Sequence, residues 1–144
     1  MNVYTTLQPS ELWVVFRNGV IYKGGGNRTD PKMVRQDRLR AADFDIRFNV
    51  ARGINEVHPN PRKGLSFAGT VDKLARLDIE GQVWKFDNTR QLPKDLVVNF
   101  NDMDHPLVNV ARVMLETEVI DLLCKMGKLM ERTQYTIKGG VIVK

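Results

Sequence analysis

The sequence predicts an α+β domain in which six or seven short strands mix with two or three helices. Two observations predict it. Apolar runs of three to five residues, rich in Val, Ile, Phe and Trp, recur along the chain and are closed by Gly, Pro, Asn or Asp, as strands and their turns are. Helical periodicity is confined to a few stretches and does not alternate regularly with those runs, so a parallel βαβ sheet is not indicated. The 144 residues, 42% of them apolar, suit one domain with one core; a chain of this size buries roughly two-thirds of its extended surface.

Residues 12–16, LWVVF, form the first β-prone run, and Asn18-Gly19 behind it is a hairpin turn returning through residues 20–22. Arg17 closes that first strand, either as a solvated charge or as a clamp whose paired donors suit phosphate or carboxylate oxygens. Gly24-Gly25-Gly26 is not a phosphate loop, because no Gly-Lys-Ser/Thr follows to open a helix, and it reads as a flexible linker. Thr29 or Asp30 before Pro31 is a helix-start signal. The spacing predicts a helix from residue 31 to about 42 with a basic face of Lys32, Arg35, Arg38 and Arg40. Residues 43–48 alternate like a strand, and residues 57–62 read as an extended loop because each Pro disfavours α geometry before it. Residues 24–62 together are expected as an insertion that is mobile or contacts a partner.

Residues 64–86 are the organising unit: a short strand over 64–68, an N-cap at Thr70, a helix over 71–77, a stop at Gly81 and an alternating strand over 82–86. Turns at 87–90 and 92–95 precede a strand at 96–100, a polar loop at 101–106 and a strand at 107–111. Val119, Leu122, Leu123, Met126 and Met130 keep the helical period from 115 to 130, with Gly127 a weak point. Residues 135–137 and 141–143, divided by Gly139-Gly140, close the β structure.

Twenty-two Lys and Arg against seventeen Asp and Glu give a net charge of +5, which favours polyanions, nucleotides or an acidic protein. The opening lacks a basic region followed by an apolar core, and no run reaches the roughly 18 apolar residues of a membrane span, so a protein soluble where it acts is expected, and a lone cysteine suits a reducing cytosol. The single Cys124 has no disulfide partner within the chain and reads as a buried small hydrophobe. His58, His105 and one Cys make no metal motif, so no metal is expected.

Ser66 sits at a sheet edge beside backbone that Gly64 and Gly69 leave open, which makes a candidate cleft. Ser66, His105 and Asp102 could compose a hydrolytic triad, although GLSFA lacks the second Gly of a nucleophile elbow. His105, between Asp104 and Pro106, is either a loop cap or a functional group. Glu116 and Glu118 bring two carboxylates to a helix start, where acids complement the dipole.

In order and spacing, the strand ending at Arg17, GLSF at 64–67, LPKDLVV at 92–98, and His105 nine residues before Met114 and a Leu-rich helix resemble the small type VI secretion toxins with an ADP-ribosyltransferase-like fold. The resemblance covers most of the chain, more thinly between 24 and 58. It implies two small split antiparallel sheets with flanking helices and an NAD-binding cleft between them. On that likeness Arg17 holds the phosphates or the nicotinamide ribose, and Ser66, with Leu65 and Phe67 beside it, organises the ribose. Phe67 and Trp84 stand as stacking surfaces or core walls, and His105 matches the family histidine. Transferases of this fold use a Glu on a late strand; Glu116 is the candidate here, though it opens a helix. NAD as substrate, a cytoplasmic target and a neutralising immunity or antitoxin protein complete what the likeness implies. Two rival expectations remain: a metal-independent ribonuclease toxin using His105, and a basic binding module using the 31–40 face.

Overall fold

A computed structural model of the chain describes residues 20–35, 37–87, 90–100, 102 and 104–144. The expected strand at 12–16, Arg17 and the Asn18-Gly19 turn lie outside the described residues. In chain order the elements are β1 (Val20–Gly26), β2 (Asp45–Asn49), β3 (Ile54–His58), β4 (Leu65–Ser66), α1 (Val71–Arg76), β5 (Gly81–Asp87) and β6 (Leu96–Asn99). They continue with β7 (Leu107–Val110), β8 (Met114–Leu115), α2 (Glu116–Leu129), β9 (Glu131–Lys138) and β10 (Val141–Val143).

The class is α+β. Among the described residues the strands form three antiparallel sheets rather than two, with orders β1-β5-β9-β10, β2-β3-β8 and β4-β7-β6. The additional sheet arises from the stretch read as strand followed by loop. Asn49 Oδ1 accepts the Arg52 N–H at 3.1 Å and Gly53 takes a left-handed φ of 66°, so residues 49–53 turn the chain and pair β2 with β3. Pro59 and Pro61 come after β3 and end it without preventing it.

The first sheet is covered on both faces. Val83 and Ile137 pack with Leu74 of α1 and Ala68 on one side. On the other, Ile21, Trp84 and Phe86 join the main core with Val57, Val108, Val110 and the apolar stripe of α2. Two edges of this arrangement are fixed by polar groups. The Gln82 amide, itself buried, donates to the carbonyls of Val83, Thr133 and Tyr135 where the β5–β9 register slips. Asn109, fully buried, donates to the Lys63 carbonyl at 3.0 Å and accepts the Val110 N–H at 2.7 Å, while Asn99 donates to the Pro61 carbonyl at 3.1 Å. The two asparagines thereby fasten the 59–63 loop onto the third sheet.

Both expected helices of the second half form. Thr70 Oγ1 caps α1 by accepting the Lys73 N–H at 3.1 Å. At the start of α2 the Glu118 carboxylate reaches back to the Leu115 N–H at 3.1 Å. Val119, Leu123 and Met126 are buried along one face, and Gly127 allows a close approach: a Cβ there would lie 2.9 Å from Met33 Cγ.

Three expectations are corrected. Among the described residues of 31–42 no helix forms, because Lys32 and Asp37 have φ of 58° and 56°, outside α geometry. Asn27 Oδ1 accepts from the Thr29 and Asp30 amides and Asp30 Oδ1 from Lys32, so these side chains close turns in place of capping a helix. Gly24 to Gly26 are not a linker but the end of β1: the Gly25 N–H donates to the Glu80 carbonyl at 2.7 Å, and a Cβ on Gly81 would stand 2.7 Å from the Gly26 carbonyl oxygen. Cys124 is exposed, on the solvent side of α2. The 24–62 segment contributes Met33, Leu39, Phe44 and Val57 to the core. Among the described residues no helix is long and apolar enough to cross a membrane.

Candidate functional site

The first and third sheets share the main core, and among the described residues one backbone bridge joins them. Tyr22 of β1 and Ala68, just beyond β4, exchange both backbone hydrogen bonds at 2.8 Å as an isolated bridge, after which β1 follows β5 and β4 follows β7. Leu65 and Ser66 pair with Val108 and Leu107, and the contact continues irregularly as Phe67 N–H donates to the Pro106 carbonyl and Gly69 N–H to the Asp104 carbonyl. This antiparallel run sets His105 opposite Ala68 and makes it a diagonal neighbour of Ser66 on the same face. Ser66 is exposed and His105 is half-buried. Among the described residues, the imidazole of His105 makes no hydrogen bond or ion pair. It is therefore free to meet a ligand.

The remaining candidates divide. Leu65 is buried in the main core yet lines a cavity described below. Phe67 is 2% exposed and packs in the main core, so its ring walls the core and offers no stacking face. Trp84 also belongs to the main core, with its indole N–H donating to the Asn27 carbonyl at 2.9 Å, but part of it lines a recess beside Pro31, Met33 and Gly127. Asp102 Oδ1 accepts the Asp104 N–H at 2.9 Å and its carbonyl accepts the His105 N–H, so its polar groups are spent on its own neighbours in the chain. Glu116 stands apart from Ser66 and His105, with the second sheet: Oε2 accepts the Leu39 N–H and Oε1 the Asn55 amide, both at 3.2 Å. Both oxygens are occupied in tying α2 to β3 and to the 39–44 segment. His58 is also on the second sheet, 3.7 Å from Glu56.

A second feature adjoins Leu65, and sequence reading missed its centre. Ile21 and Lys23 share a face of β1, opposite Phe86 and Trp84 on β5, so strand parity points the Lys23 stem towards the main core. There it enters a recess of about 80 Å³ lined by Lys23, Leu65, Phe44, Leu39, Asp43 and the cations Lys32, Arg35, Arg38 and Arg40. Burial chiefly holds the Lys23 pKa below its ordinary value; Asp43 opposes the shift, and Arg35 and Arg40 add to it by repulsion. The signal was present in VIYKGGG, where a buried Ile two positions earlier on a strand puts Lys23 on the same face.

Among the described residues no group of three or more His, Cys, Asp or Glu could hold a metal ion. No protein family, curated protein or solved structure compared with the chain matches it.

Proposed function

We propose that the chain is an NAD-dependent ADP-ribosyltransferase-like toxin domain that acts in a cytoplasm, transferring ADP-ribose or hydrolysing NAD, and is neutralised by an immunity or antitoxin protein. The observation that carries this reading is the juxtaposition of exposed Ser66 with the unengaged imidazole of His105 at the Tyr22–Ala68 bridge, where two sheets part. A cleft between diverging sheets is what the fold class expected for this site requires. In this reading the Ser66 hydroxyl bonds the nicotinamide ribose and fixes its orientation. Water or an acceptor group on the target forms the new bond at the ribose anomeric carbon, and the bond to nicotinamide breaks with its electron pair leaving on the nicotinamide. His105 takes the proton released by the incoming nucleophile.

Glu116 receives no catalytic part, because Leu39 and Asn55 already hold both its oxygens. Arg17 keeps its part as a phosphate or ribose clamp on the strength of the sequence likeness alone. The neutralising partner is an acidic protein, whose association the +5 charge would speed.

Incubating the protein with NAD in a cell lysate and following nicotinamide release tests the reading. Wild type is expected to release nicotinamide, with His105→Ala slowing release by about 10²-fold or more, the usual scale for a proton-transfer group, and Ser66→Ala slowing it through loss of the ribose contact. NAD left intact while RNA in the same lysate is cut would replace the reading with the ribonuclease alternative. Nicotinamide release at the wild-type rate in both variants would remove these two residues from the site.

A further inference from the structure

We propose that the recess around Lys23 is a binding site for a terminal phosphate, the phosphomonoester of a small molecule or inorganic phosphate itself. The recess has a core-facing lysine at its floor and four further cations at its rim. Lys23 is half-buried on a face of β1 shared with Ile21 and opposed by Trp84 and Phe86, positions that are otherwise apolar. A lysine pointing into such surroundings is seldom tolerated without a partner. Yet among the described residues no acidic oxygen lies within 4.0 Å of the Lys23 ammonium or of the Arg35 or Arg38 guanidinium. Asp43, the one carboxylate in the lining, is 3.8 Å from Arg40.

The backbone gathers these charges against their mutual repulsion. The Arg38 N–H donates to the Arg35 carbonyl at 3.1 Å, forming an isolated antiparallel bridge that sets the two arginines opposite each other. Like charges placed directly across such a pair repel. The left-handed conformations at Lys32 and Asp37, uncommon for non-glycine residues, wrap this segment over β1 so that its cations reach the recess. A bound dianion would offset both the repulsion and the burial of Lys23, with planar guanidinium forks reading its oxygens and the ammonium acting as a point charge beneath.

Charge selects the form of the phosphate. About 80 Å³ admits a phosphoryl group. A terminal phosphate brings close to two negative charges and three free oxygens to the five cations, whereas an internal phosphodiester brings one charge and two free oxygens. The inference does not rest on NAD cleavage, and the residues are distinct from Ser66, His105 and Arg17.

Calorimetric titration at constant ionic strength, with inorganic phosphate, a nucleoside 5′-monophosphate and dimethyl phosphate as probes, tests the site. Wild type should bind the first two and not the diester. If phosphate alone binds, the ligand is the free ion; if the nucleotide binds more tightly, it is a phosphomonoester carried by a larger molecule. Lys23→Met keeps an unbranched stem and sheds a crowded charge, so its thermal transition should persist while affinity falls at least about tenfold. The exposed pair Arg35→Gln with Arg38→Gln should act in the same direction and checks the result should Lys23→Met fail to fold. Undiminished phosphate affinity in the arginine variant, equal binding of the diester, or no binding by wild type would overturn the proposal. Because no NAD is present, these outcomes are separate from those of the nicotinamide assay.

Discussion

Replacing Asn109 with Leu is expected to lower stability by about 3 kcal/mol, near the upper end of the cost of leaving buried polar groups unpaired. Asn109 is 0% exposed, and its side chain both donates to the Lys63 carbonyl and accepts the Val110 N–H. Leucine has a similar volume and loses both bonds. The amide also lies 3.5 Å from the Asn60 carbonyl, at the limit of a bond, so the contact with Lys63 is the stronger tie on this loop. The loss should reach beyond the third sheet, because the loop so fastened sits between β3 and β4 and Lys63 in turn donates its ammonium to the Ala41 carbonyl at 2.9 Å. Urea denaturation reads the effect as a lower midpoint with little change in slope. An unchanged midpoint would mean that the loop is held by other means.

Leu123→Ala should cost about 2–5 kcal/mol, the range for removing a buried leucine side chain from a packed core. Leu123 is 0% exposed on the face of α2 that carries Val119 and Met126. Its neighbour Cys124 is exposed, so Cys124→Ser should change stability by less than about 0.5 kcal/mol. The pair of measurements fixes the helix's rotation. Similar losses at both positions would contradict the burial of one face.

Much of the fold could be read where local signals agreed with long-range packing. The Thr70 cap, the apolar stripe of α1, the alternation over β5 and the Val119, Leu123, Met126 spacing of α2 each give the observed element to within a residue or two. The failures cluster between residues 24 and 58, where local signals had two physical solutions. Thr29, Asp30 and Pro31 would start a helix, but Asn27 and Asp30 spend their side-chain oxygens on turns, and burying Met33, Leu39 and Phe44 at spacings of six and five fits no helical period. The NVARG stretch at 49–53 reads as a hairpin loop by its Asn and Gly, and residues 43–48 alternate before it, yet residues 54–58, INEVH, break the alternation and run into Pro59.

The site was partly legible for a related reason. Ser66 at a glycine-bounded strand and His105 before a proline are local features, and the pairing of β4 with β7 brings them together. The basic cluster was also visible, but as a solvated helix face. Only the Arg35–Arg38 bridge and the parity of β1 show that its charges converge on Lys23. Glu116 could not be sorted from sequence, since a helix-opening acid and a catalytic acid look alike until Leu39 and Asn55 are seen bonded to it.

The most direct test of the proposed function is to follow backbone amide NMR shifts during titration with NAD. Shifts concentrated at Ser66, Ala68, Gly69 and His105, and absent from Ser66→Ala, are the expected result. No shifts at saturating NAD, or shifts confined to surfaces away from the Tyr22–Ala68 bridge, would contradict a dinucleotide site where the two sheets part.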